Sequence, residues 1–411
     1  MRARVTAIAI GALCFAASAA AIPYVPPPQP VYEAPIDRAL ENVAAMEGLE
    51  EAQRERLLGR LNLLAYARDD ADFAYMQSDN SLVEAGSVRC ADAPRNMRGA
   101  QEEGPPVQPD DRCAAFDFQL GPQAELPDAP PERTRLGGLA RLRAAEQHYR
   151  RALRLDRDDL RARLGFAYVL DRMGRRSEAR RELLRIIDRG LPRLIGDTSE
   201  WEDHAVLSEA AEHLDHLVRT SNDRIRVQRL RTRLEASRPV VYVTPMVVPL
   251  TEGPFARLID MESEVAFDFA GTGDRRTQGW LDGEAAAWLV WDPEWRGEIH
   301  SGFDMIGQRT WAVFWSDGFE ALRALDDNRD GELTGAELGG LSLWRDSDGD
   351  GVSDDGEVIP VLAHGVAALA TRGEATRPGL ITAPNGVRFD DGRTRPLYDW
   401  TPGLEQRAPV S

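Results

Sequence analysis

The chain has 411 residues, enough for roughly two to four domains. Its 43% hydrophobic content excludes a wholly disordered chain, although the net charge is −18. That acidic balance, with a pI near 4.9, argues against wrapping nucleic acid or an anionic membrane, and no nucleic-acid partner is expected.

The first 21 residues read as an address. Arg2 and Arg4 form a basic start, Val5 to Ala17 an apolar run, and Ala19-Ala20-Ala21 a small-residue cleavage site. This pattern predicts a secretory signal peptide cut between Ala21 and Ile22, hence a secreted or periplasmic protein. The run falls short of the ~20 residues that a membrane span requires, and no later run reaches that length, so no membrane span is expected. Residues 22–35 form a proline-rich leader. Removal of the signal removes Cys14 and leaves Cys90 and Cys113, an even pair that predicts a disulfide in an oxidising compartment. Both lie in a Pro- and Gly-rich stretch at about 76–132, expected to be a disordered or loop insertion.

Residues 36–237 read as a helical repeat domain. Ile36, Leu40, Val43 and Met46 mark one helix, and Leu57, Leu58, Leu61, Leu64 and Tyr66 a second, with Gly48 as the break. In 136–188, Ala145, Tyr149 and Ala152 recur 34 residues later as Ala179, Leu183 and Ile186, with Gly174 between two helical patterns. Phe166, Ala167 and Leu170 form a large–small–large triplet. The period and the triplet resemble the tetratricopeptide repeat, over about one and a half copies. The resemblance implies a scaffold for a protein partner of unknown identity. Two more helices are expected at about 199–218 and 221–236, capped by Ser199 and Ser221. The Arg-rich stretch 133–190 reads as a solvated helical surface.

A second domain is expected over 238–400, followed by a tail at 401–411. It opens on a strand at Pro239–Val243 and holds seven of the nine Trp between Trp280 and Trp344. Residues 262–360 carry 23 Asp and Glu against 7 Arg, a net of −16. Within them Asp326, Asn328, Asp330, the Glu332 carbonyl, Thr334 through water, and Glu337 stand at the spacing of the twelve-residue EF-hand loop, with Gly331 at its turn. Such a set of hard oxygens is the coordination that Ca²⁺ takes. A second loop places Asp346, Asp348, Asp350, the Val352 carbonyl, Asp354 and Glu357 in the same roles, with Ser353 where an aliphatic residue is usual. The short segment between the loops speaks against a standard paired hand. A third loop from Asp292 carries Arg296 at position five and closes on Asp304, which makes metal there improbable. Asp268 heads a further eroded loop.

Residues 265–370 together resemble the calcium-binding module of bacterial exported proteins, including regions that flank haemolysin-type (RTX) repeats. The resemblance implies structural or regulatory calcium and no catalysis. The expected fold is therefore α+β and multidomain, with a tetratricopeptide-like N-terminal region and a C-terminal domain with EF-hand-type loops. The expected function is a non-catalytic, calcium-binding interaction protein. Two rivals stand beside it: a secreted hydrolase with structural calcium, pairing His300 with an acid, and a glycan adhesion module with Trp288, Trp291 or Trp295 exposed. Glu209, His213 and His216 share a helical face, which reads as a solvated polar surface ahead of a transition-metal site.

Overall fold

Gly48, with φ at +77°, turns the chain between α1 (Ile36–Ala45) and α2 (Glu51–Asp69). In this computed structural model the described residues are 34–69, 74–78, 81–85, 114–115, 132–194, 201–236 and 243–401, apart from 261, 264, 270–274 and 278. The signal peptide, the leader up to residue 33, Cys90, Cys113 and residues 402–411 lie outside them. Within the expected insertion, β1 (Ala74–Ser78), β2 (Ser81–Ala85) and β3 (Ala114–Ala115) pair as a small antiparallel sheet, where sequence alone predicts a loop.

Helices α3 (Glu132–Leu155), α4 (Leu160–Arg172), α5 (Arg176–Gly190), α6 (Trp201–Leu217) and α7 (Ser221–Ala236) continue the stack, each packing on the next. The repeat positions do what their sizes require. Tyr149 of α3 is fully buried between two glycines, and a β-carbon on Gly59 of α2 or Gly165 of α4 would fall 2.9 or 2.3 Å from its ring. Ala145, Ala152, Ala179, Leu183 and Ile186 are all buried, and Gly174 makes the α4–α5 turn at φ +76°. Asp159 caps α4 by accepting the Ala162 amide at 2.8 Å. Thr220, and not Ser221, caps α7: its hydroxyl accepts the Asp223 amide at 3.2 Å, and Ser221 is already helical. Among the described residues no helix is long and apolar enough to cross a membrane.

The C-terminal part is a curled antiparallel sheet. Its strands are β4 (Met246–Pro249), β5 (Ile259–Asp260), β6 (Ala266–Phe267), β7 (Arg276–Thr277), β8 (Trp280–Leu281) and β9 (Ala286–Trp291), then β10 (Glu332–Thr334), β11 (Leu341–Trp344), β12 (Val358–Pro360), β13 (Val366–Ala370), β14 (Glu374–Arg377), β15 (Leu380–Phe389) and β16 (Thr394–Trp400). The main sheet runs β10-β13-β15-β16-β4-β9-β11-β12, with β14 added on β15. The expected strand at 239–243 begins outside the described residues, and the first described strand is β4.

Strand β9, Ala-Ala-Trp-Leu-Val-Trp, is buried on both faces, which explains its unbroken apolar sequence. Ala286, Trp288 and Val290 enter an aromatic core with Phe267, Phe269, Trp280, Trp344 and Trp400. Trp280 sits 5.2 Å from Trp288 and 5.6 Å from Trp344, edge to face, a favoured aromatic geometry. Ala287, Leu289 and Trp291 point the other way, into a core shared with the helices.

That shared core makes α2 central. Residues 56–66 are buried without interruption: α3 covers one side, and residues 312–320 of the C-terminal part meet the helix on another. Two arginines are buried with it. Arg60 donates to the Ala312 carbonyl at 2.9 Å and lies over the Phe314 ring, and Arg56 pairs with Asp159 at 3.2 Å. The fold is α+β, with helices first and sheet after.

Candidate metal centre

The residues ahead of the first acidic loop form α8 (Gly318–Arg323), which Asp317 caps by accepting the Glu320 amide at 2.8 Å. Phe319 and Leu322, with Leu325 just after the helix, are buried, as their spacing predicts, so Asp326 emerges at a fixed place. Loop one, 326–337, contains β10, which pairs with β13 at one edge of the sheet. Loop two, 346–357, joins β11 to β12 as a hairpin at the other edge, with Trp344 opposite Val358.

The two loops share one hydrogen-bond scheme. At position one, Asp326 Oδ2 accepts the Gly331 amide at 3.1 Å and Asp346 Oδ2 accepts that of Gly351 at 2.9 Å. Position three accepts the amide of position five: Asn328 from Asp330 at 2.8 Å, Asp348 from Asp350 at 3.3 Å. Position five accepts that of position seven: Asp330 from Glu332 at 2.9 Å, Asp350 from Val352 at 2.7 Å. The closing acids fold back alike. Glu337 takes the amides of Asp327 and Thr334 at 2.9 and 3.0 Å, and Glu357 those of Ser347 and Asp354 at 2.7 and 3.2 Å. Gly331 and Gly351 hold φ at +91° and +73°, a region open to glycine.

In loop two the scheme draws three acids together. One carboxylate oxygen from each of Asp346, Asp348 and Asp350 lies within 4.8 Å of the others. In loop one, Asp326 is 5% exposed and its Oδ1 has no hydrogen-bond partner. A buried acceptor left without a donor costs free energy, so this atom is suited to a cation. The Glu332 carboxylate turns away to Arg388 at 2.7 Å, consistent with a ligand role for its carbonyl alone. Leu333, at position eight of loop one, packs inward.

Electrostatics follow from the same geometry. Burial pushes the Asp346 carboxyl above its ordinary range, and the Glu357 charge adds to this. Burial also acts on Glu357, yet hydrogen bonds from the Ser347 hydroxyl and amide outweigh it and hold the group low. Trp280 Nε1 donates to Asp346 Oδ2 at 2.7 Å, a support 66 residues away that loop spacing does not reveal.

Position eight of loop two departs from the usual pattern for a reason. The Ser353 hydroxyl accepts the Ile299 amide at 2.8 Å, and Ile299 is position eight of the third loop. Loops two and three are therefore companions, whereas loop one is joined to β13. The third loop keeps the backbone of the others: Asp292 Oδ2 accepts the Gly297 amide at 3.0 Å with Gly297 at φ +73°. Asp304 closes it by accepting the amides of His300 and Ser301 at 2.9 and 3.0 Å. Arg296 stands where an acid is needed, and its side chain turns to Glu294. Burial, with Asp268 and Asp292 nearby, raises the Asp304 carboxyl to about 7.

Residues 250–400 match the family model of the SPM domain. The match takes in all three loops, α8 and every strand from β5 to β16, so the acidic loops are internal to the SPM-matching region. Residues 139–191 match a tetratricopeptide repeat family, which covers most of α3 with α4 and α5. The chain thus carries tetratricopeptide-like helical repeats. No curated protein matches the chain.

Other expectations resolve individually. Glu209 and His213 are 3.4 Å apart but buried, with the His213 ring edge-on to Tyr168, so this face is interior and not solvated. The side chain of His216 lies outside the described residues. Asp304 meets His300 through the backbone amide, and the imidazole is 4.0 Å from Glu298. Trp288 and Trp291 are buried and only Trp295 of the three is exposed, at 72%.

Proposed function

We propose that this protein is an exported, non-catalytic calcium-binding protein in which a tetratricopeptide-like scaffold takes a protein partner and two EF-hand-type loops hold Ca²⁺. Repeats of this kind suit protein–protein interaction, because stacked helix pairs present extended concave surfaces. The observation that carries the calcium reading is the common hydrogen-bond scheme of loops 326–337 and 346–357, together with the orphaned Asp326 Oδ1. The donors are carboxylate, amide and carbonyl oxygens from Asp326, Asn328, Asp330, Glu332 and Glu337, and from Asp346, Asp348, Asp350, Val352 and Glu357. Such hard ligands suit Ca²⁺ over zinc, which prefers nitrogen and sulfur. Bound calcium would neutralise acids that otherwise repel across the −16 stretch. The N-terminal Arg2, Arg4 and Val5–Ala17 pattern supports export, where calcium is abundant enough for weak sites.

Thermal melting of the full chain tests this reading. Millimolar Ca²⁺ should raise Tm relative to chelator, since a ligand that binds only the folded state stabilises it by about 2.7 kcal/mol at a hundredfold excess over Kd. The double variant Glu337→Gln, Glu357→Gln should lose the shift. Equal Tm in both buffers for the wild type would refute it.

A further inference from the structure

We infer that calcium in loop one and the docking of the first helical hairpin are coupled, so that loop one reports its occupancy to the repeat scaffold while loop two does not. The inference rests on the calcium reading above and concerns the regulation of one of its two sites. Helix α1 meets loop one at its first residues. Arg38 Nε and Asn42 Nδ2 both donate to Asp327 Oδ1 at 2.8 Å. Asn42 Nδ2 also donates to the Ala324 carbonyl at 3.0 Å, and the Arg38 guanidinium to that of Leu325. These carbonyls end α8, where no intrahelical donor remains for them. Arg323 returns the contact by donating to the Glu47 carbonyl at 3.2 Å.

The residues immediately before and after Asp326 are therefore tied to α1. Asp327 belongs to the loop in a second way, because its amide donates to the closing acid Glu337 at 2.9 Å. Position two supplies no metal ligand, so its side chain is free to serve α1 while its amide orients Glu337. Docked, α1 fixes the first and last ligands of loop one in advance. Undocked, the same ordering has to be met on binding, which lowers affinity. Linkage is reciprocal: if docking favours calcium, calcium favours docking by the same factor. Since α1 packs on α2 and α2 on α3, the effect reaches the element that starts the repeat stack. Loop two draws its supports from within the sheet domain, from Trp280 on Asp346 and from Arg345 Nε on the Gly283 carbonyl at 2.7 Å. It is a control within the same chain.

The experiment is calorimetry with Ca²⁺ alone on the full chain, in a Glu357→Gln background for loop one and a Glu337→Gln background for loop two. Arg38→Ala, or Asp327→Ala, whose side chain is half exposed, should weaken loop one by about fivefold or more and leave loop two unchanged. Hydrogen exchange supplies the reciprocal readout: α1 amides should be more protected in calcium than in chelator, an effect retained in Glu357→Gln and lost in Glu337→Gln. If both loops bind calcium and neither variant moves loop one, the coupling is refuted and the calcium reading stands. If the wild type binds no calcium, both fall.

Discussion

Gly283 and Asp346 are pressed together: a β-carbon on Gly283 would fall 2.0 Å from the Asp346 carbonyl oxygen. The glycine is thus required by the first acid of loop two and not by its own backbone angles. Gly283→Ala should push Asp346 out of place, weaken loop two about tenfold or more, and destabilise the domain by about 1–3 kcal/mol. Calcium titration in a Glu337→Gln background and urea denaturation measure the two effects, and loop one should be unaffected.

The segment after β9 carries Trp311, Ala312 and Phe314 at φ +56°, +55° and +65°, a backbone region costly for residues with side chains. Arg60 of α2 holds it by its bond to the Ala312 carbonyl. Arg60→Ala removes a fully buried side chain and leaves that acceptor unpaired, for an expected loss of about 2–4 kcal/mol in the urea unfolding of the full chain. An unchanged midpoint would show that the helices do not brace this segment.

Asp304 sets a pH dependence whose sign is fixed. Its carboxyl is raised to about 7 in the fold, against about 3.9 in an unfolded chain. The folded state therefore holds a proton that the unfolded state releases. The stability this contributes is fully present below about pH 4 and is lost as pH rises through about 7. Asp304→Asn keeps an acceptor for the His300 and Ser301 amides and removes the titration. Melts at constant calcium should show the wild type losing up to roughly 4 kcal/mol more than the variant between pH 4 and pH 8.

Much of this was legible in the residues. The spacing of Asp326 to Glu337 and of Asp346 to Glu357 anticipated loops that the structure folds alike, because each acid is placed by its neighbours in sequence. Alternation of small and large side chains likewise placed Tyr149 between helices. What was not legible depends on distant chain. Arg60 looks like a surface residue of a helix until the carbonyl of Ala312 is brought against it, and the bond of Trp280 to Asp346 spans 66 residues. Glu209 and His213 read as a wet face in sequence because nothing local signals that α6 is covered on that side. The role of Ser353 became intelligible only with Ile299 beside it. Arg38 and Asn42 carry no local mark of the loop they hold.

The central claim is that loops 326–337 and 346–357 are calcium sites, and calorimetric titration of the full chain with Ca²⁺ tests it most directly. The account predicts two sites in the wild type, with Kd between micromolar and millimolar. It predicts one remaining site in Glu337→Gln and one in Glu357→Gln. A wild type that takes up no calcium even at about 10 mM, above the range of the weakest extracellular modules, would contradict it.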